Sequence, residues 1–229
     1  EDTGRKVLTY SVNTDVPTLD NSLANSVPSI TITNQIQEGL IRMHDGEIIP
    51  GIAEDWDISE DGITYTFHLR DAEWSDGEPI TAYHFEYGIR RLVDPTTASP
   101  YSFISEPIKN AMKINSGELP VEELGVKALD DKTLEITLEQ PTPYFLGMLD
   151  MPHFYGARKD FIEEYGQDYA ADADKLVYSG PFILKEWKHE DRLILEKNEK
   201  YWNKDKVNLD EVNVIVVTDP NTALAMYEN

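Results

Sequence analysis

The apolar residues change their spacing along the chain, and each spacing predicts a different element. Val7-Leu8-Thr9-Tyr10-Ser11-Val12 is β-branched and aromatic with no breaker, which predicts a strand. Asn25-Ser26-Val27-Pro28 reads as a loop, and Ile32, Ile36 and Leu40, four apart, predict a helix over residues 30–40 with Gly39 near its end. The period then drops to two. Trp56 and Ile58 lead into the turn Glu60-Asp61-Gly62-Ile63, after which Tyr65, Phe67 and Leu69 share one face and Thr64, Thr66 and His68 the other, as in a hairpin. A second hairpin is expected from residues 126–129, the turn Asp130-Asp131-Lys132, and the alternating Leu134, Ile136 and Leu138.

Helical signals stand between and after these strands. Thr81 is a good N-cap, and Ala82, Phe85, Ile89 and Leu92/Val93 make an apolar stripe that ends before Asp94-Pro95. A helix is expected after Thr142-Pro143, with proline at its first position, and another over residues 159–165, stopping at Gly166. Residues 182–184 and 193–195 predict strands paired across Lys188-His189-Glu190-Asp191. The nearly continuous apolar run 212–217 predicts a strand buried on both faces. Thr222 opens a last helix that reaches Asn229 without a stop signal, which reads as a piece of a longer polypeptide. The class is mixed α and β, in one or two domains, without internal repeats, low-complexity stretches or flexible linkers.

Charge narrows the partners. Forty-three acids against 20 bases give a net charge of −23, which repels phosphate backbones and excludes nucleic acid as an expected partner. The chain has no cysteine, so disulfides, thiolate metal sites and cysteine nucleophiles are out, a composition consistent with export. Its first residues, Glu1-Asp2-Thr3-Gly4-Arg5-Lys6, are polar and lack the apolar core of a leader; an exported form would already have lost its targeting segment. No stretch approaches the ~18 apolar residues of a membrane span.

Catalytic signatures are missing: no His-Glu-x-x-His, no phosphate loop, no Gly-x-Gly-x-x-Gly, no Gly-x-Ser-x-Gly. Histidines 44, 68, 84, 153 and 189 are too scattered in sequence to suggest a metal cluster, and His68 falls on the polar face of its strand. The carboxylate pairs Asp55/Asp57, Asp130/Asp131, Glu163/Glu164 and Asp172/Asp174 read as solvated or turn residues in so acidic a chain. Tryptophans 56, 74, 187 and 202 could form a ligand platform, but each alone reads as a core anchor.

More specific is a series of spaced motifs. It runs Gly51-Ile52-Ala53-Glu54-Asp55-Trp56, Asp61-Gly62-Ile63-Thr64-Tyr65-Thr66-Phe67-His68-Leu69-Arg70, Trp74-Ser75-Asp76-Gly77-Glu78-Pro79-Ile80-Thr81-Ala82, then Phe85, and Asp94-Pro95-Thr96-Thr97-Ala98-Ser99-Pro100-Tyr101. It continues in Leu124-Gly125-Val126-Lys127-Ala128, Pro141-Thr142-Pro143-Tyr144-Phe145, Gly180-Pro181-Phe182 and Tyr201-Trp202. Across essentially its whole length the chain resembles the peptide/nickel family of bacterial solute-binding proteins, most closely its oligopeptide-binding branch. One position departs: the family usually has Thr-Ala-x-Asp where this chain has Thr81-Ala82-Tyr83-His84. A carboxylate there would complete a capping box and suit the helix dipole, and histidine is expected to do neither.

The resemblance implies an α/β periplasmic-binding-protein-like class II lobe with an additional α+β domain inserted. Residues 1–37 and 160–229 would form the first, discontinuous lobe and 38–159 the insert, with the C-terminal lobe missing. It implies a non-enzymatic, extracytoplasmic receptor of an ABC importer, in the periplasm or lipid-anchored at the cell surface. Its partners would be oligopeptides and a membrane permease, and the receptor would be monomeric with no cofactor and no metal. Peptides would lie extended and pair through their backbone, with Asn25-Ser26-Val27 matching the strand-pairing stretch and Tyr101 matching the tyrosine near the peptide's amino end. The family's groups for the peptide's charged ends lie in the other lobe, so residues 1–229 alone are expected to hold peptides weakly or not at all. Within the same fold the alternatives are a receptor for dipeptides, nickel chelates, a pheromone or haem. Outside that reading stand a hydrolase and a structural or adhesive surface protein.

Overall fold

Two four-stranded sheets organise the molecule, each with its own apolar cluster. A computed structural model describes residues 4–228. The chain opens with β1 (Val7–Val12), then α1 (Val27–Ile36). The helix begins earlier than the apolar spacing predicts: Ser26 is its N-cap, its Oγ accepting the Ser29 N–H at 3.2 Å, and Pro28 occupies the first turn. Val27 and Pro28 are therefore helical rather than loop, and Leu40 lies beyond the helix.

Next come β2 (Ile41–His44) and β3 (Glu47–Pro50), a hairpin that the apolar periodicity does not announce. Its two-residue turn, Asp45-Gly46, has φ of 50° and 82°, the double-positive turn that matches the twist of paired strands. Strands β4 (Ala53–Ile58) and β5 (Thr64–Leu69) form the predicted hairpin, and every apolar residue of β5 is buried. Gly62, at φ +70°, makes the turn between them.

Helix α2 (Ala82–Val93) follows, with its stripe buried and its end before Asp94-Pro95 as read. Contrary to expectation, His84 completes a capping box. The Thr81 N–H and the Trp74 indole N–H both donate to its Nδ1, at 3.1 and 3.3 Å. Two donors on one ring nitrogen require it to be bare, so the ring is neutral and suits the helix start. Burial, with Arg158 nearby, lowers its pKa to about 4.

A short α3 (Ala111–Asn115) leads to β6 (Val126–Asp130) and β7 (Thr133–Thr137), the second expected hairpin. Strand β7 also pairs with β5, giving the sheet order β4-β5-β7-β6. The helix expected after Thr142-Pro143 is a single turn, α4 (Phe145–Met148), starting two residues beyond the proline. Helix α5 (Lys159–Tyr165) ends at Gly166 as read.

The second sheet is built from both ends of the chain. Strands β8 (Phe182–Lys188), β9 (Arg192–Lys197) and β10 (Glu211–Val216) are antiparallel in turn, β1 pairs in parallel with β10, and the order is β1-β10-β9-β8. In β10 only Val212 and Val214 are fully buried, so the apolar run is covered on one face and half covered on the other. Helix α6 (Pro220–Glu228) begins two residues before Thr222, with Asp219 Oδ1 accepting the Thr222 N–H at 2.7 Å.

Around β4-β5-β7-β6 and α2 the core runs from Leu40 to Phe154, with Val177 joining from later in the chain. Around β1-β10-β9-β8 it draws on residues from Val16 to Ile36 and from Tyr169 to Val214. Close backbone approach fixes how α2 lies against the chain. A Cβ on Gly88 would stand 2.3 Å from the Tyr155 carbonyl oxygen, so only glycine fits. Among the described residues no helix is long and apolar enough to cross a membrane.

Candidate ligand-binding edge

Residues 20–24 are locked in place by partners distant in sequence. Arg91, on α2, grips Asp20 with both ends of its guanidinium, at 2.6 and 2.7 Å, and the pair is nearly buried. The Asp20 carbonyl accepts the N–H groups of Leu23 and Ala24. Asn21 Nδ2 donates to the carbonyls of Pro152 and Tyr155, Ser99 Oγ donates to the Ser22 carbonyl at 2.6 Å, and His153 Nε2 lies 2.8 Å from the Ala24 carbonyl oxygen.

Immediately beyond this anchored run the chain is open. Asn25 is exposed, and neither its N–H nor its carbonyl has a hydrogen-bond partner among the described residues. Ser26 has extended dihedrals, φ −117° and ψ 152°, because an N-cap stays outside the helix. In an extended residue the flanking carbonyl and N–H point to one side. The Asn25 carbonyl and the Val27 N–H thus form a free acceptor and donor facing the same way. Val27 is 78% exposed.

An open groove of about 440 Å³ adjoins Val27, lined by Tyr10, Ser11, Val12, Thr31, Val217 and Ala223 among others. It lies where β1 and the neighbouring β10, parallel to each other, reach their carboxyl ends. Open α/β sheets present their crevices at such ends.

Tyr101 enters from the 94–101 motif. Its N–H donates to Ser99 Oγ at 3.2 Å, the same hydroxyl that holds Ser22. Its ring stacks on His153 at 4.5 Å between centroids and also stacks with Phe103 at 5.6 Å. The Tyr101 hydroxyl has no hydrogen-bond partner among the described residues. Asn25, Ser26 and Val27 are thus contiguous with the anchored loop, and Tyr101 joins them through Ser99 and His153. Periodicity and spacing gave no sign of His153, Ser99 or the Asp20–Arg91 pair, because these contacts cross 70 residues or more of chain.

The other candidates resolve into structure. His68 sits beside Asp57 at 3.1 Å on the polar face of β5. Asp130 accepts the Lys132 N–H at 2.8 Å, and that bond holds its carboxyl below the usual range, a turn role. Trp74 and Trp187 are buried, and Trp202 is half-buried beneath the Arg70 guanidinium at 3.7 Å. Among the described residues no group of three or more His, Cys, Asp or Glu is placed to hold a metal ion.

The family model for bacterial extracellular solute-binding proteins, family 5, matches residues 47–229. Among curated proteins, the dipeptide-binding protein DppE of Bacillus subtilis is 38% identical over 99% of this chain, and the periplasmic oligopeptide-binding protein OppA of Escherichia coli is 37% identical over 98%. The chain spans 42% of the length of each. Among solved structures, the substrate-binding domain of an oligopeptide ABC transporter from Bacillus anthracis superposes with a TM-score of 0.96 at 44% identity. That match covers 99% of this chain and 44% of the other. Listeria monocytogenes OppA bound to peptide gives 0.95 at 40% identity, covering 99% and 45%. These family members are binding proteins rather than enzymes. With a family match over most of its length, the chain belongs to the bacterial extracellular solute-binding proteins, family 5.

Proposed function

We propose that this chain contributes one side of the ligand cleft of an extracytoplasmic oligopeptide receptor that hands its cargo to the permease of an ABC importer. It makes and breaks no covalent bonds. The observation that carries this reading is the unpaired Asn25 carbonyl and Val27 N–H on either side of extended Ser26. They offer an extended peptide a short edge to pair with, in a register set by main-chain groups that every peptide shares. Tyr101 would stand at the peptide's amino end, its free hydroxyl available as donor or acceptor.

Residues 1–37 and 160–229 would form the lobe that carries this edge, and 38–159 the inserted domain. The distribution of the two apolar clusters supports that division. The receptor would act as a monomer, at the cell surface on a lipid anchor or in the periplasm, with no nucleic-acid partner. A dipeptide receptor is the second reading, since two similar relatives are named dipeptide-binding proteins. Ligand retained by the protein, sized by mass spectrometry, separates the two.

Calorimetric titration with an alanine pentapeptide tests the binding edge. The 229 residues alone are expected to bind more weakly than about micromolar, since family receptors close on ligand from two sides. In a form extended to the relatives' full length, Val27→Pro deletes the N–H donor at a helix position that tolerates proline. It is expected to weaken binding by about tenfold, the upper range for one hydrogen bond. Unchanged affinity in that variant contradicts pairing at Val27.

A further inference from the structure

We infer that His153 is a positioning residue that sets the spacing between the two halves of the candidate site, the free edge at Asn25–Val27 and the ring of Tyr101. The inference rests on the binding reading above for its purpose, but not for its geometry.

His153 is fully buried, and one of its two ring nitrogens is committed. Nε2 stands 2.8 Å from the Ala24 carbonyl oxygen, which can only accept, so Nε2 carries the hydrogen. Nδ1 is then a bare acceptor, and it is buried without a partner among the described residues. A phenylalanine would fill the same space without stranding a nitrogen. The imidazole brings two things together that phenylalanine cannot: a donor for the carbonyl just before Asn25 and a flat face for Tyr101. The two rings lie at 4.5 Å and 20°, close to parallel, and Phe103 extends the stack at 5.6 Å and 29°. Phe103 is 60% exposed, so the stack runs from a buried base to an open end.

The segment around His153 reinforces the arrangement. The Pro152 and Tyr155 carbonyls both accept from Asn21 Nδ2, so the loop leading to the edge is fastened on either side of the same ring. A shift of the imidazole would move Tyr101 and Ala24 together, whereas loss of one function would free one partner only.

The two functions can be separated by substitution. His153→Phe keeps a ring without the donor, His153→Gln keeps a donor without the ring, and His153→Ala removes both. In the 229-residue chain, amide NMR shifts of Asn25, Ser26 and Val27 are expected to move in His153→Phe with the Tyr101 ring signals held, and the reverse in His153→Gln. In the form extended to the relatives' full length, each is expected to lose about tenfold in affinity for an alanine pentapeptide and His153→Ala about a hundredfold, while affinity does not follow thermal stability across the set. Nitrogen shifts of the unmutated chain supply a readout free of folding defects: at neutral pH they should report a protonated Nε2 and a bare Nδ1. The proposal is overturned by the opposite tautomer, or by variants that lower stability yet leave the edge amides and the Tyr101 ring unmoved. If the unmutated extended form ignores the peptide, the receptor reading fails, and the amide and ring signals still decide the role of His153.

Discussion

The two sheets are written in the same alternating code but are covered differently. In β5 and β7 every inward residue is buried, and α2 lies over β6 and β7 with Phe85, Ile89 and Leu92 inaccessible. In the other sheet β1 stands at the edge with Val7 and Leu8 each 46% exposed, β10 buries only alternate residues, and α6 buries none. Alternation tells which side of a strand is apolar; the neighbouring elements decide whether that side is shut. The sheet beside the candidate edge is the less enclosed one.

The largest test of this contrast is a pair of truncations. Phe67→Ala, in the enclosed sheet, is expected to cost about 3–5 kcal/mol of unfolding free energy in urea. Leu8→Ala, on the open edge, is expected to stay within about 0.5 kcal/mol. Similar costs for the two would remove the distinction.

The anchored loop links the regions through Asp20 and Arg91, since Asp20 precedes α1 and Arg91 lies on α2. Asp20→Ala would leave a guanidinium nearly buried without its carboxylate, which costs about 3 kcal/mol, the lower end for breaking such a pair because Arg91 keeps some water contact. The chevron or melting curve should show a single transition weakened as a whole. A variant in which only one sheet's signals shift would mean that the pair is local to that sheet.

His84 sharpens the comparison by pH, because it belongs to the enclosed region alone. Its folded pKa of about 4 lies below the ordinary 6.5, so the fold favours the neutral ring. The unfolded chain takes up the proton first as pH falls. The stability that His84 contributes is therefore complete above pH 6.5 and is lost progressively from there down to about 4. The ceiling on this loss is about 3 kcal/mol, and less is expected because the ring is partly exposed. His84→Asn offers an acceptor near the place of Nδ1 without titrating. Subtracting its denaturation profile from that of the parent should isolate the window; parallel profiles would mean that the ring is protonated without strain.

Much of this was legible in the residues. The hairpin at Thr64–Leu69 and the helix ends at Asp94 and Gly166 follow from alternation, proline and glycine, which act within a few positions. Periodicity places the start of α1 too late because Ser29, Thr31 and Thr33 dilute its apolar stripe, although Ser26 and Pro28 are both valid start signals. At position 84 the deviation from the usual carboxylate hid a tautomer-dependent cap, since an imidazole nitrogen accepts like a carboxylate oxygen only when it is unprotonated. Asn25–Val27 and Tyr101 came from motif resemblance. What joins them, His153 against Ala24 and Tyr101, depends on a through-space contact that no local pattern encodes.

The smallest effect expected is also at the open edge. Arg5 Nη2 reaches Glu211 at 3.2 Å and Glu196 at 3.7 Å, tying the start of β1 to β10 and β9. Arg5 is half exposed, so its charge is well solvated in both states, and ordering a long side chain opposes the attraction. Arg5→Ala should therefore cost about 0.2–1 kcal/mol in low salt, and less near 1 M salt, where the Debye length falls to about 3 Å. The acidic surface pushes the other way: at −23, removal of any cation raises self-repulsion, and salt screens that as well. Lys113→Ala, which deletes a cation with no salt-bridge partner among the described residues, separates the terms. If the two substitutions cost the same at every salt concentration, Arg5 acts through net charge alone and the edge of β1 is held by its backbone ladder with β10.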